Sequence, residues 1–238
     1  MPSTLENNAV GTVLLVGASR GIGHAMAAEF LKQGWNVIGT VRGTHRTGLH
    51  DLAETHAGRV EIASLDITRE EEIAALRARF SGRRVEMLFV NAGTTNANPD
   101  DTVANVSTED FTHTMITNAL SPMRVIESLR HVVTADGLIG IMSSGQGSIA
   151  NNTNGMRDIY RATKAALNMF MRSYAARHAD DPHALVLMAP GWIRTELGGP
   201  SAAFTLEETV PDIVGTLLSQ QGKPGLRYLD REGKTVPW

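Results

Sequence analysis

The chain alternates short, continuous apolar runs with longer stretches in which apolar residues recur every three or four positions. A short continuous run is typical of a strand buried on both faces, whereas the longer spacing is typical of a helix that buries one face. The predicted strands are Thr12–Val16, Asn36–Val41, Arg59–Ala63, Val85–Val90, Gly137–Met142, Ala184–Ala189 and Leu226–Leu229.

Helices are predicted between these strands. Over Gly21–Gln33 apolar residues recur every four positions, as on one helix face. Thr68 and Glu71 have the spacing of a capping box, which is expected to open a helix. The other predicted helices run from this capping box to Phe80, from Ser107 to about His131 with a break near Pro122, and over Arg157–His178. The apolar stripe of the last helix consists of Ala162, Ala165, Ala166, Met169 and Phe170.

Strands that alternate with helices predict a parallel sheet covered on both faces. Right-handed crossovers then give a Rossmann-like, doubly wound α/β fold of about seven strands. Neither a linker nor an internal repeat interrupts the pattern, so we expect one dinucleotide-binding and catalytic domain over residues 1–238. The long loops at 94–106, 145–156 and 192–204 are expected to form the substrate side.

Composition narrows the classes of protein to consider. The 238 residues are 42% hydrophobic and carry a formal net charge of -3, which argues against nucleic-acid binding and a polybasic membrane protein. The absence of Cys excludes disulfides and thiolate metal sites, and no His or Asp cluster has ligand spacing. The N-terminus lacks the pattern of a secretory signal, so a cytoplasmic location is expected.

A glycine-rich segment lies between the first predicted strand and the first predicted helix. Gly17, Gly21 and Gly23 would allow a tight turn there, and the N–H groups that open the helix would face a pyrophosphate. The second strand lacks the acidic residue that usually binds the ribose of NAD, whereas Arg20 and Arg42 could hold a 2′-phosphate. The segment therefore favours NADP over NAD. The alternatives are a simple turn and two arginines exposed to solvent.

Tyr160 and Lys164 are four residues apart in a predicted helix and therefore share one face of it. A free phenol has a pKa of about 10, and a nearby ammonium would lower that pKa and ease proton exchange. Ser144 offers a hydroxyl that could orient a carbonyl oxygen, with Ser143 as its rival because either residue could end the fifth strand. Alone, the Tyr–Lys spacing would more often reflect packing and solubility.

Taken in order, these motifs resemble the short-chain dehydrogenase/reductase family, from Val13 to at least Thr195. Four features are most similar to the carbonyl-reductase branch with the C-factor and sniffer proteins: the spacing of Ser144 and Tyr160, and the segments Gly147–Ile149, Tyr160–Asn168 and Gly233–Trp238. The catalytic residues that the resemblance implies are Asn118, Ser144, Tyr160 and Lys164. The residues expected to bind NADP(H) are Gly17, Ser19, Arg20, Gly21, Ile22, Gly23, Arg42, Asp66, Ile67, Asn91, Ala92, Gly93, Tyr160, Lys164, Pro190, Gly191, Ile193 and Thr195.

The resemblance implies an oxidoreductase that transfers hydride between NADPH and a carbonyl or secondary alcohol, without a metal ion. Tyr160 would be the acid/base, Lys164 would lower its pKa and bind the nicotinamide ribose, and Asn118 with water would resupply the proton. Two alternatives stay open: an NAD-dependent alcohol dehydrogenase on the same fold, and a cofactor-binding regulatory or signalling protein with little turnover. The resemblance also implies a homodimer or homotetramer paired through the helices that contain Asn118 and Tyr160.

Overall fold

All seven strands lie parallel in one sheet, in the order β3-β2-β1-β4-β5-β6-β7. The computed structural model describes Leu5 and residues 9–238, so most of the N-terminal segment discussed above lies outside the described residues. The strands are β1 (Thr12–Val16), β2 (Asn36–Val41), β3 (Val60–Ser64), β4 (Val85–Val90), β5 (Val133–Met142), β6 (Ala184–Ala189) and β7 (Gly225–Asp230). The expected Rossmann-like fold is confirmed.

The helices connect successive strands. They are α1 (Gly21–Lys32), α2 (Gly48–Thr55), α3 (Glu70–Arg79), α4 (Thr108–Met115), α5 (Ser121–Leu129), α6 (Asp158–Arg177) and α7 (Leu206–Gln220). Helices α2 and α7 were not predicted, although Thr47 and Thr205 each open one of them with a capping box. In the part of the chain that the structure describes, every helix is too short or too polar to cross a membrane.

The sheet divides the apolar interior into two cores. Leu14 and Val16 of β1 belong to one core, and Val13 and Leu15 belong to the other, because successive side chains of a strand point to opposite faces. Helices α3, α5 and α6 cover the first face, and α1, α2 and α7 cover the second. Continuous apolar strands are therefore required, as the sequence pattern indicated.

Strand β1 pairs with β2 on one side and with β4 on the other. The connection after β1 therefore runs toward one edge of the sheet and the connection after β4 toward the other. A crevice opens between them at the carboxyl ends of β1 and β4. The glycine segment follows β1, and the segment Asn91–Gly93 follows β4, so both lie at this crevice.

The break predicted near Pro122 is present, but attributing it to the proline was wrong. Pro122 lies in the first turn of α5, where its missing N–H group costs little. The irregularity lies just before it, because Ile116–Leu120 forms a π-helical turn in which the Ser121 N–H donates to the Ile116 carbonyl. Such turns are frequent at functional sites, and this one contains Asn118.

The capping box predicted at Thr68 was also wrong. Helix α3 begins at Glu70, and its N-cap residue is Arg69. The Thr68 hydroxyl instead donates to Asp66 Oδ1 at 2.7 Å, and Glu72 accepts the Asp66 N–H at 2.7 Å. Thr68 therefore shapes the loop after β3 rather than the helix.

The stripe predicted on α6 is not the face that the helix buries. Met169 is 61% exposed and Phe170 is 45% exposed. The buried side chains of α6 are Ile159, Thr163, Lys164, Leu167, Asn168, Met171 and Tyr174. Three of these, Thr163, Lys164 and Asn168, are polar, and each is held by a hydrogen bond. Because the buried face contains polar residues, a search for apolar spacing selected a different face.

Candidate active site

A cavity of about 560 Å³ opens at the carboxyl ends of the strands. All but two of the predicted site residues line it. Those lining residues are Gly17, Ser19, Arg20, Gly21, Ile22, Arg42, Asp66, Ile67, Asn91, Ala92, Gly93, Ser144, Tyr160, Lys164, Pro190, Gly191, Ile193 and Thr195. The two exceptions, Gly23 and Asn118, lie behind the wall and hold it in place.

The glycine turn is fixed by neighbouring strands. Gly17 has a φ of 88°, a region that favours glycine, and its N–H donates to the Thr40 hydroxyl of β2 at 2.9 Å. The Asn91 amide, after β4, donates to the Gly17 carbonyl at 2.8 Å. A Cβ on Gly23 would lie only 2.0 Å from that same carbonyl oxygen. Gly23 is therefore needed for packing rather than for lining the cavity.

Gly23→Ala is expected to lower the free energy of unfolding by about 2–3 kcal/mol, because the new methyl group meets backbone that cannot move away. The displaced turn should also lose its affinity for a dinucleotide. Urea unfolding and NADPH fluorescence titration measure the two effects.

Gly215→Ala is the matched control. Gly215 is exposed within α7, with open space around the position of a Cβ. That change should stabilise the protein by about 0.5–1 kcal/mol through helix propensity. Equal effects of the two substitutions would contradict the close packing assigned to Gly23.

The two arginines expected to hold a phosphate differ in their surroundings. Arg42 follows β2 at the cavity and forms no salt bridge with any described residue. Arg20, at the N-cap of α1, pairs instead with Glu196 from the loop after β6. Both side chains of this pair are largely exposed, so the pair contributes little to stability.

Asp66 and Ile67 lie at the same end of the cavity as Arg42. Partial burial raises the pKa of Asp66, but hydrogen bonds from Thr68 and the charge of Arg42 outweigh it and leave this pKa below its usual value. Asp66 is therefore a carboxylate at neutral pH. Its carboxylate oxygens are hydrogen-bond acceptors close to Arg42.

The structure separates the two candidate serines at the end of β5. Ser143 is buried, and its hydroxyl donates to Asn168 Oδ1 at 2.6 Å. Ser144 lines the cavity, its hydroxyl accepts the Gln146 N–H at 3.1 Å, and it lies close enough to the Tyr160 phenol to lower the pKa of that group. Tyr228 of β7 donates to the Ser144 carbonyl and so fixes this residue from behind.

Burial raises the pKa of the Tyr160 phenol. The hydrogen bond with Ser144 and the charge of Arg157 act in the opposite direction but do not outweigh it. The net direction is opposite to the lowering expected from Lys164. The phenol thus stays protonated at neutral pH and is available as a proton donor.

Lys164 is buried beside the phenol, with its Nζ 5.7 Å from the centre of the Tyr160 ring. Its ammonium donates to the Met142 carbonyl of β5 at 2.9 Å. Burial lowers the pKa of Lys164 to about 8. A Cβ on Gly93 would lie 3.3 Å from Asn118 Oδ1 and 3.6 Å from this amine, so Gly93 borders both groups.

Asn118 is fully buried and joins three parts of the chain. Its Oδ1 accepts the Thr94 N–H at 2.8 Å, and its Nδ2 donates to the Thr94 carbonyl at 2.8 Å and to Thr163 Oγ1 at 3.0 Å. It thereby fixes the loop after β4 to helix α6. Its side chain does not line the cavity.

Sequence reasoning missed Arg157, which lines the cavity next to Tyr160. Its φ of 63° makes it the one non-glycine residue with positive φ in the described part of the chain. A residue in that region costs on the order of 1–3 kcal/mol. Its guanidinium lies 5.1 Å from the centre of the Tyr160 ring. No sequence motif signals such a backbone conformation.

Comparison with known proteins gives a consistent result. A family profile described as short chain dehydrogenase matches residues 11–204. A structure described as a short-chain dehydrogenase/reductase from Burkholderia multivorans, with bound NADP, is 63% identical, with a TM-score of 0.94 over 95% of this chain and 99% of that chain.

Two more distant proteins also match. A carbonyl reductase from Pseudomonas aeruginosa PAO1 in complex with NADP is 34% identical, with a TM-score of 0.88 over 95% of this chain and 99% of that chain. The C-signal protein of Myxococcus xanthus is 31% identical over 156 residues, which are 65% of this chain and 93% of that protein.

Proposed function

The chain belongs to the short-chain dehydrogenase/reductase family, and on that basis we propose that it is an NADPH-dependent reductase of a carbonyl substrate. One observation carries the proposal. A protonated phenol, a serine hydroxyl and a buried amine meet at one end of a cavity whose other end has a glycine turn and a free arginine. This arrangement supports proton donation to an oxygen held beside a dinucleotide.

The residues of the cavity fit NADPH. The turn at Gly17 leads into the start of α1, whose first backbone N–H groups lie where a pyrophosphate would bind. Arg42 has no salt-bridge partner among the described residues and could receive a 2′-phosphate. The structures of two relatives with bound NADP support the same cofactor. When bound, the cofactor supplies the hydride.

The protein's own groups provide the remaining chemistry. Ser144 and Tyr160 hydrogen-bond the carbonyl oxygen of the substrate, and Tyr160 donates the proton as that oxygen gains negative charge. Lys164 keeps a positive charge behind the phenol, and it would hold the ribose of the cofactor when that is bound. Asn118 positions α6 through Thr163 and supports the path by which water resupplies the proton.

The raised pKa of Tyr160 favours reduction over oxidation. A proton donor must be protonated when the reaction starts, and burial keeps the phenol in that form. Oxidation of an alcohol would need the phenolate, which the same burial disfavours. We therefore propose reduction as the working direction.

A panel of aldehydes and ketones, followed by the loss of NADPH absorbance, tests the activity. Turnover with NADPH and much less with NADH supports the proposal. Faster turnover with NADH would instead support an NAD-dependent alcohol dehydrogenase. Tight NADPH binding without turnover of any carbonyl would support a regulatory protein.

Arg42→Ala is expected to raise the KM for NADPH by about 10- to 100-fold, because a charge-assisted bond to the 2′-phosphate is lost. The KM for NADH should change less than about three-fold, since NADH has no such phosphate. Steady-state kinetics with both cofactors measures this. Arg84→Ala, which removes an exposed arginine outside the cavity, is the control. An equal rise for both cofactors would rule out the phosphate contact.

We also propose that the protein is a cytoplasmic homodimer or homotetramer. The exposed Met169 and Phe170 on α6 support pairing through this helix and its neighbours α4 and α5. A monomeric mass by light scattering would contradict the assembly. The loops at 94–106, 145–156 and 192–204 are proposed to shape the substrate pocket.

A further inference from the structure

The catalytic end of the cavity carries a positive charge without a counter-charge. Among the described residues, Asp66 and Glu196 are the acidic side chains that line the cavity. Asp66 lies near Arg42, and Glu196 pairs with Arg20. Arg157 is left with no salt bridge to any described residue.

Arg157 makes few bonds for a half-buried arginine. Its Nη2 lies 3.4 Å from Thr95 Oγ1, a long contact, and its Nε is buried with no hydrogen-bond partner among residues 9–238 and Leu5. The neighbouring carboxylate of Asp158 accepts the Val103 N–H at 3.2 Å instead. The guanidinium therefore has donors to spare at the place where a substrate would meet Tyr160.

A structural role explains Arg161 but not Arg157. Arg161 donates to the Met156 carbonyl at 2.5 Å and to Asn154 Oδ1 at 2.8 Å, which ties the loop before α6 to the helix. Arg157 ties no comparable segment, yet the backbone holds it in the left-handed region that favours glycine. A strained residue at a site is a reason to look for a ligand.

We propose that Arg157 binds a carboxylate of the substrate, so that the substrate is an aldehyde or ketone with a carboxylate near its carbonyl group. A planar guanidinium matches a carboxylate, and the cation lies 5.1 Å from the ring centre of the proton donor. The inference rests on the proposed reductase activity, because the carboxylate is taken to belong to its substrate.

The kinetic test compares 2-, 3- and 4-carboxybenzaldehyde with their methyl esters, which keep the shape and lose the charge. For at least one position of the carboxylate, the wild type should show a kcat/KM about 10- to 100-fold higher for the acid. Arg157→Gln should remove that preference, mainly through a rise in KM for the acid, so that kcat/KM falls much more for the acid than for its ester. Arg157→Lys should retain part of it.

Two further variants separate this role from folding. Arg157→Gly removes the charge and suits the positive φ, so its melting temperature should equal or exceed that of the wild type while the preference is lost. Arg177→Gln removes a charge about 30 Å along the same helix, where it pairs with Glu127, and should keep the preference.

A binding measurement makes the inference independent of turnover. Calorimetry with benzoate and benzamide should show benzoate bound more tightly by the wild type, and the difference should vanish in Arg157→Gln. If no carbonyl is reduced but this difference is found, the reductase proposal fails and the anion site stands. If esters are reduced as well as acids, or benzoate binds Arg157→Gln equally well, the anion site is overturned. An equal fall in kcat/KM for acids and esters in Arg157→Gln would likewise overturn it, since Arg157 would then act through Tyr160 alone.

Discussion

Tyr160→Phe is expected to lower kcat for carbonyl reduction by at least about 10³-fold, because the hydroxyl proposed to donate the proton to the substrate oxygen is lost. The Kd for NADPH should stay within about two-fold of the wild type, since the ring and its packing remain. Single-turnover kinetics and a fluorescence titration measure the two quantities. Near-normal turnover in this variant would exclude Tyr160 as the acid.

Tyr174→Phe provides the matched control on the same helix. The Tyr174 hydroxyl is buried without a hydrogen-bond partner among the described residues, and burial raises its pKa to about 12. Removing it should leave turnover unchanged and should not lower the melting temperature, because an unsatisfied polar group is lost. A comparable loss of kcat in both variants would point to damage to α6 rather than to lost chemistry.

Lys164→Met is expected to lower kcat by at least about 10²-fold and to stabilise the protein at the same time. Burial lowers the pKa of this amine from 10.5 to about 8, which corresponds to a cost of about 3 kcal/mol for the buried cation. Losing the hydrogen bond to Met142 offsets about 1 kcal/mol of the gain. A net gain of about 2 kcal/mol at pH 7 should appear in urea unfolding.

The pH dependence of that gain has a definite sign. Below pH 8 the amine is protonated in both the folded and unfolded states, so the cost of burying the charge is fully present. Between pH 8 and 10.5 the unfolded state holds the extra proton, so the wild type gains stability from this group as pH rises. The advantage of Lys164→Met should therefore narrow and reverse across this window.

Lys223→Met, at an exposed position, is the control for Lys164→Met and should show no such pH-dependent difference. A Lys164→Met variant less stable than the wild type at pH 7 would mean that the ammonium is better solvated than its burial indicates. Retained turnover would remove Lys164 from the reaction.

The strands were predicted well because a strand that is buried on both faces is a continuous apolar run in the sequence. The bounds of β1, β2, β4 and β6 agree with the predicted ones residue for residue. Helix α2 escaped prediction because it is short and only Leu49 within it is buried. The break near Pro122 was predicted but given the wrong cause, because the position of proline within a helical turn, not its presence, decides whether it disrupts the helix.

The site was predictable where a residue acts through its own position in a motif. The glycines, Tyr160 and Lys164 are of that kind. Residues placed by tertiary contacts were not predictable. The Tyr228 hydroxyl, for example, donates to the carbonyl of Ser144, which is 84 residues away in the sequence. The position of the Arg157 side chain depends on a positive φ, which an arginine in the sequence does not indicate. The choice between Ser143 and Ser144 required the coordinates, because one step along a strand reverses the face.

The π-helical turn at Ile116–Leu120 inserts one residue between α4 and α5, which rotates everything after it by about 100° relative to a regular helix. Helix α4 buries only Thr114, whereas α5 buries six side chains. The helix face that packs against the core therefore changes between α4 and α5. Deleting one residue there would restore a regular helix at the expense of the links through Asn118. A relative without the Asn118 hydrogen bonds does not need the extra residue. An alignment with such a relative is expected to show a one-residue gap within Ile116–Leu120.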